Sequence, residues 1–290
     1  MKLNLSSILA LVAVSGVLFT GCKDNFDNPN PTGGSHLFAS NSAVDATKNL
    51  QVFLHPDSAK LSPNFQYANG AIDANGIAID GKNEILFQLS RAKKQILVYV
   101  DIDSLTANTL PERSIDDATL TSGRGVAYDA ANNILYVANN TDSTIHAYVN
   151  ATEIRGVPAV MHTYKLAGEP WGLAYDSRNK RLLVAIDKEA HRVEAFNAPE
   201  LLADGKITPT ATYTIKADAA VDSVGRIHGI SYSAQKDVLL VTEIGKASST
   251  DNSHKSDGGI YIFDNFSTFK SGTVTATRVI IGKSTQLGNP

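Results

Sequence analysis

Residues 125–154 read GVAYDAANNILYVANNTDSTIHAYVNATEI, and this stretch is the unit from which the rest of the chain is built. Laid over it without a gap, Gly76 begins GIAIDGKNEILFQLS, Gly172 begins GLAYDSRNKRLLVAID and Gly229 begins GISYSAQKDVLLVTEI. The starts lie 49, 47 and 57 residues apart. Asp101, Asn150 and Asn197 each stand 25 residues after the repeat glycine and open helix-like turns (DIDSL, NATEI, NAPELL). The fourth unit reaches its equivalent, Asp264 of DNFSTF, ten residues late, because 243–259 carries a polar insertion of the kind loops tolerate.

A period of 40 to 50 residues made of short apolar runs between turn residues predicts an all-β protein, a β-propeller of four-stranded blades. In the first full unit the strands are expected at Gly76–Asp80, Ile85–Leu89, Ile96–Val100 and near Arg113–Ile115, all short and rich in β-branched or aromatic residues. The inner strand alternates small with large: Gly125 and Ala127 face one way, Val126 and Tyr128 the other. Small residues there would let neighbouring blades approach closely near the axis.

The segment LYVANNTDSTIHAYV resembles the YVTN-type repeat, and GIAID and GLAYD are similar to the inner-strand signature of NHL-type propellers. The resemblance covers roughly residues 36–290. It implies the architecture and leaves the chemistry open, since such propellers include lactonases, lyases and many binding proteins.

Three segments are expected. Residues 1–21 read as a secretion signal: Lys2, an apolar run from Ile8 to Phe19, then Thr20-Gly21 before Cys22, the chain's single cysteine. LFTGC resembles a bacterial lipoprotein signal in which Cys22 becomes the lipidated first residue, with Phe19 where leucine is usual, and Lys23-Asp24 resembles the surface-export tag of Bacteroidota lipoproteins. Acyl chains contribute on the order of 0.8 kcal/mol per buried CH₂, so a multiply acylated Cys22 would hold the protein stably on an outer membrane, facing periplasm or cell surface. Residues 22–35 have the proline, glycine and polar composition of a flexible tether.

The propeller domain is expected over 36–290. HLFASN, LQVFL and Asn64–Ala68 align with the second, third and fourth strands of a unit without an inner strand, and TQLGNP aligns with residues that precede one. This reading gives four complete blades plus one partial, a C-terminal truncation, and six or seven blades in the full protein.

With 290 residues, 43% hydrophobic and 19% charged, the chain can bury a sizeable core, and a formal charge of −3 argues against nucleic acid as partner. Loops entering the inner strand and those joining the second strand to the third should share one face, around the axial channel. The position before each repeat glycine holds Asn75, Arg124, Trp171 and His228, four different side chains from equivalent places. With Glu243 they form the candidate ligand-binding set: Arg124 a permanent five-donor cation, Trp171 a flat face for stacking, His228 a group that titrates near neutrality.

Asn139, Asn140 and Asp187 stand near the same mouth, the asparagines better read as turn formers. Asp80, Asp129 and Asp176 end the inner strand at the opposite face, where turn capping is expected. His191 and His254 lack zinc-site spacing, and DNSHKSDGG (251–259) lacks the regular spacing and closing glutamate of a calcium loop. No catalytic residue and no cofactor is assigned, and no G-x-S-x-G or P-loop signature is present. The expected function is a membrane-anchored binding or scaffolding module for a polar, anionic or sugar-like ligand or a protein partner. The alternative is a lactonase-like or lyase-like enzyme with a divalent cation such as Ca or Mg in the channel, to which Asn75 and Glu243 could contribute.

Overall fold

The computed structural model describes residues 17–18, 22–23, 36–42, 49–54, 65–67, 70–187, 191–216, 226–244 and 258–281. The described chain is a β-propeller. Its first sheet contains β1 (Val17–Leu18), β2 (Cys22–Lys23), β3 (His36–Asn41), β4 (Leu50–Leu54) and β5 (Phe65–Tyr67). The first complete blade is β6 (Ala74–Asp80), β7 (Ile85–Ser90), β8 (Gln95–Tyr99) and β9 (Arg113–Asp116). The second is β10 (Gly123–Asp129), β11 (Ile134–Asn139), β12 (Thr144–Val149) and β13 (Met161–Lys165). The third holds β14 (Pro170–Asp176), β15 (Arg181–Ile186), β16 (Arg192–Asn197) and, after the short β17 (Gly205–Lys206), β18 (Ala211–Lys216). The fourth holds β19 (Ile227–Ser233), β20 (Val238–Glu243), β21 (Gly259–Asp264) and, after β22 (Gly272–Thr275), β23 (Arg278–Ile281).

The four complete blades and the β3–β5 sheet fall where the repeat put them. One detail of the first sheet differs from the reading: the unit expected to lack an inner strand has β1 and β2 paired antiparallel along β3, Val17 opposite Asn41 and Cys22 opposite Leu37.

The second strands show why the blades stack. β11 (ILYVAN) and β15 (RLLVAI) are buried at every position, without the alternation of a half-solvated strand. Leu135 and Val137 pack with the first blade, whereas Ile134, Tyr136 and Ala138 pack with the third. Each interior blade thus buries one pleated face against each neighbour, and apolar layers fill the gaps between successive sheets. On the outer face of the fourth blade lies a small cluster of Ile260 and Ile262, with Val238 and Leu240 partly buried beside them.

Near the axis, glycine is required by close approach. A Cβ on Gly76 would stand 2.6 Å from the carbonyl oxygen of Arg124, and one on Gly125 would stand 2.6 Å from that of Trp171. On Gly172 it would strike the carbonyl of His228. The inner strands therefore touch backbone to backbone, as the small-residue pattern implied.

Two further devices bind the blades. In the second, third and fourth complete blades the connector after the third strand returns to the outer edge of the preceding blade and adds a parallel pairing: Ile115 with Gly156, β13 with β17, and β18 with β22. Asp80, Asp129 and Asp176 cap the hairpins between first and second strands, as expected. Asp80 accepts the backbone N–H groups of Lys82 and Asn83, Asp129 that of Ala131 at 3.0 Å, and Asp176 that of Asn179 at 3.1 Å.

The left-handed residue that opens each helix-like turn is Asp101, Asn150, Ala198 and Asn265. In the third and fourth blades this is one position after Asn197 and Asp264, which instead end strands β16 and β21. In the third blade the cause is a loop between β15 and β16 one residue longer than that between β11 and β12.

Candidate functional site

The inner and second strands pair continuously except at one place, which is the same in all four blades. The register slips by one residue between Ala74 and Ile77, Gly123 and Val126, Pro170 and Leu173, and Ile227 and Ile230. Each slip is a β-bulge that contains the repeat glycine and the residue before it. Bulges unpair a residue and re-aim its side chain. Here they release Asn75, Arg124, Trp171 and His228, at the ends of inner strands that pack side by side.

Three of the four meet in a stack. The rings of Trp171 and His228 lie 3.6 Å apart between centroids and 4° from parallel, and the Arg124 guanidinium carbon is 4.1 Å from the indole centroid. Two planar groups cannot share one face of an indole at those heights, so Trp171 lies between Arg124 and His228. Sequence reasoning expected Trp171 to offer a stacking face to a ligand; both faces are taken by protein groups. Asn75 is buried at the equivalent bulge of the neighbouring blade. Glu243 is also buried, and its carboxylate bonds the hydroxyl of Tyr261 on the adjacent strand.

A second tier of charges surrounds the stack. The residue three before each repeat glycine (Asp73, Ser122, Glu169, Arg226) meets the first residue after the second strand (Arg91, Asn140, Asp187, Ile244). In every blade the backbone N–H of the latter donates to the carbonyl of the former. Two of these positions carry arginines tied to carboxylates. Arg91 Nε donates to Asp73 Oδ2 at 2.6 Å, and Arg226 grips Asp187 with Nε at 2.9 Å and Nη2 at 2.6 Å. The second pair joins the third and fourth blades, and Asp187 Oδ1 also lies 3.3 Å from His228 Nε2.

Arg124 is different. Its Nε is buried without a hydrogen-bond partner, and among the described residues no carboxylate pairs with its guanidinium. Burial is the main cause that holds its pKa down to about 10, and Arg91 adds to the fall; Asp73 and Asp187 oppose it, and Arg226 lowers it further. Burial likewise pushes the His228 imidazole down; Asp187 opposes this, while Arg226 and Arg124 add to it. His228 is therefore neutral at pH 7.

Of the other sequence candidates, Asn139 and Asn140 serve the backbone. Asn139 Oδ1 accepts the Ser122 N–H at 2.8 Å, and Asn140 donates to the Pro170 carbonyl at 3.1 Å. His191 adopts a left-handed backbone in its loop. His254 and residues 251–257 of the acidic loop lie outside the described residues. Among the described residues no group of three or more His, Cys, Asp or Glu is placed to hold a metal ion. Reasoning on the sequence named Asp187 but missed Arg91, Asp73 and Arg226. Their signal was present as a second pair of equivalent positions that flanks the repeat glycine.

No family model matches this chain, and no curated protein matches it. Among solved structures it is similar to the hydrazine synthase of Kuenenia stuttgartiensis, with a TM-score of 0.48 and 10% identity over 73% of this chain and 51% of that one. It is also similar to a chain of a mitotic checkpoint complex, with a TM-score of 0.48 and 12% identity over 70% of this chain and 55% of that one. The chain spans about half the length of each. At such identity and TM-score the likeness says nothing of what this chain binds.

Proposed function

We propose that this chain is an extracytoplasmic binding or scaffolding module, held to a membrane through Cys22, whose propeller takes up an anionic group at Arg124. The observation that carries the reading is the half-buried Arg124 guanidinium, clamped on Trp171 and paired with no carboxylate among the described residues. A cation–π contact contributes about 0.5–2 kcal/mol, which orients a guanidinium but does not neutralise it. An anion from outside would neutralise it, and the edge donors of a flat guanidinium suit a forked acceptor. Asn75, at the next bulge, adds an amide beside the same axis.

The membrane attachment rests on the LFTGC sequence and the charged residues that follow it. Cys22→Ser should move the protein from the membrane to the soluble fraction, and unchanged retention would remove the anchor from the reading. For the site, the full chain is screened by thermal shift against anionic and neutral sugars and short peptides, in parallel with Arg124→Gln. Anionic hits that vanish in the variant support the reading; hits that bind both proteins equally place recognition elsewhere.

A further inference from the structure

The four hairpins between first and second strands lie on the face of the propeller opposite the bulges, and in these hairpins the exposed charged side chains are all cations: Lys82, Arg178, Lys180 and Lys236. The carboxylates of the same turns are drawn inward. Asp80, Asp129 and Asp176 are buried as caps, Glu84 is half-buried, and Asp237 accepts the hydroxyls of Tyr232 and Ser267 at 2.8 and 2.6 Å. Farther out, the connectors after the third strands carry both signs, Asp103 and Asp204 with Arg155 and Lys270.

The N-terminal strands add a direction. β1 and β2 run antiparallel along β3, in the place that the inner strand takes in a complete blade, and they descend from Asn41 to His36. The Asn41 end belongs to the mouth: the Asn41 N–H donates to the Asn49 carbonyl, and Asn49 Nδ2 to that of Ala71, just ahead of β6. The His36 end belongs to the hairpin face. His36 Nδ1 lies 3.2 Å from Asp103 Oδ1, in the turn whose Ile102 N–H donates to the Glu84 carbonyl. Cys22 pairs with Leu37, the second residue of β3, so its backbone is part of the sheet at the hairpin face.

We propose, resting on the reading of Cys22 as the acylated residue, that the hairpin face lies on the phospholipid surface and that the mouth with Arg124, Trp171 and His228 points away from it. Acyl chains at Cys22 hold the chain to the membrane at that face. Because Cys22 is itself paired in the sheet, no linker separates anchor from body, and the propeller rests on the membrane instead of standing off at the end of the tether expected over 22–35. The exposed lysines and arginine of the hairpins meet headgroup phosphates with their tips while their stems lie along the protein. With the mouth turned towards the lipid, Cys22 would stand on the far side of a blade roughly 20 Å tall, and β2 would have to peel from β3 to reach the surface.

The lipidated protein is reconstituted into vesicles of phosphatidylethanolamine and phosphatidylglycerol that carry a headgroup-linked acceptor dye. Cys22 is the chain's only cysteine and its thiol is taken by the lipid, so a donor dye reports from one introduced thiol. The two sites are Ala131→Cys in the second-blade hairpin and Thr141→Cys just past the mouth end of β11, both exposed, with circular dichroism as the check on folding. Because the two positions differ in height by roughly 20 Å, energy transfer from the Ala131 site should exceed that from the Thr141 site at least about twofold. Lys82→Gln, Lys180→Gln and Lys236→Gln combined should lower the transfer from the Ala131 site; unchanged transfer would take the cations out of the proposal and leave the orientation to the anchor alone. Stronger transfer from the Thr141 site, or equal transfer from both, would overturn the orientation while the anchor stands. Protein that fails to float with the vesicles would overturn the anchor, and the orientation with it.

Discussion

The indole of Trp171 and the imidazole of His228 lie face to face at 3.6 Å, although they belong to different blades. They meet because each precedes a repeat glycine, and the glycine of one blade admits the backbone of the next. The contact couples a fluorophore to a titratable ring.

Tryptophan emission should therefore follow the protonation of His228. Burial depresses the imidazole below its ordinary value of 6.5, so the fluorescence transition is expected below pH 6.5 and absent in His228→Gln. The effect on stability has a definite sign. Well above pH 6.5 the histidine is neutral in both states and has no effect on stability. As pH falls from there towards the folded-state value, the unfolded chain binds the proton first and stability declines, then levels off once both states are protonated. A transition at or above pH 6.5 would contradict the assignment.

Asp187 opposes that depression through its contact with His228. Asp187→Asn should move the fluorescence midpoint to a lower pH than in the wild type. The same change releases the forked Arg226, and denaturant unfolding should show a loss of about 1–3 kcal/mol. A midpoint that moves upward would show that Asp187 does not face the ring.

Gly125→Ala tests the contact between inner strands. The added methyl would stand 2.6 Å from the Trp171 carbonyl oxygen and 2.7 Å from the Leu173 nitrogen, both backbone atoms with little room to yield. Overpacking of this kind costs about 1–3 kcal/mol, readable as a lowered melting temperature. Because the strand that must shift carries Trp171, its emission should change as well. An unaltered melting curve would mean that the blades are farther apart than described.

Asp176 and Asp129 cap equivalent turns but should differ in cost. Asp176 also accepts Arg181 Nε at 2.7 Å, and the pair is buried between the third and fourth blades, where Arg181 lies 5.1 Å from the Phe266 ring. Asp176→Ala strands a buried cation, at a cost of about 3–5 kcal/mol. Asp129→Ala loses only hydrogen bonds, at about 1–3 kcal/mol. Equal losses in urea unfolding would show that Arg181 reaches water once its partner is gone.

Much of the architecture could be read from residue order alone. The period of GxAxD-like starts marked the blades, the apolar runs placed the strands within a residue or two, and Asp80, Asp129 and Asp176 announced their turns. All of these depend on contacts close in sequence or on a pattern repeated often enough to average out noise. The one-residue shift at Ala198 escaped because it follows from the length of a single loop, which leaves no periodic trace.

The candidate site divides along the same line. The sequence by itself determined which positions were equivalent, those of Asn75, Arg124, Trp171 and His228. It did not determine what they do to one another. Only the tertiary structure decided that the bulges turn three of them into a stack, that both faces of Trp171 are taken by its neighbours, and that Arg91 and Arg226 have carboxylates while Arg124 has none among the described residues. Those outcomes depend on distances between blades, where a shift of an ångström separates an ion pair from a free charge. Residue order carries equivalence, but charge neutralisation is a property of space.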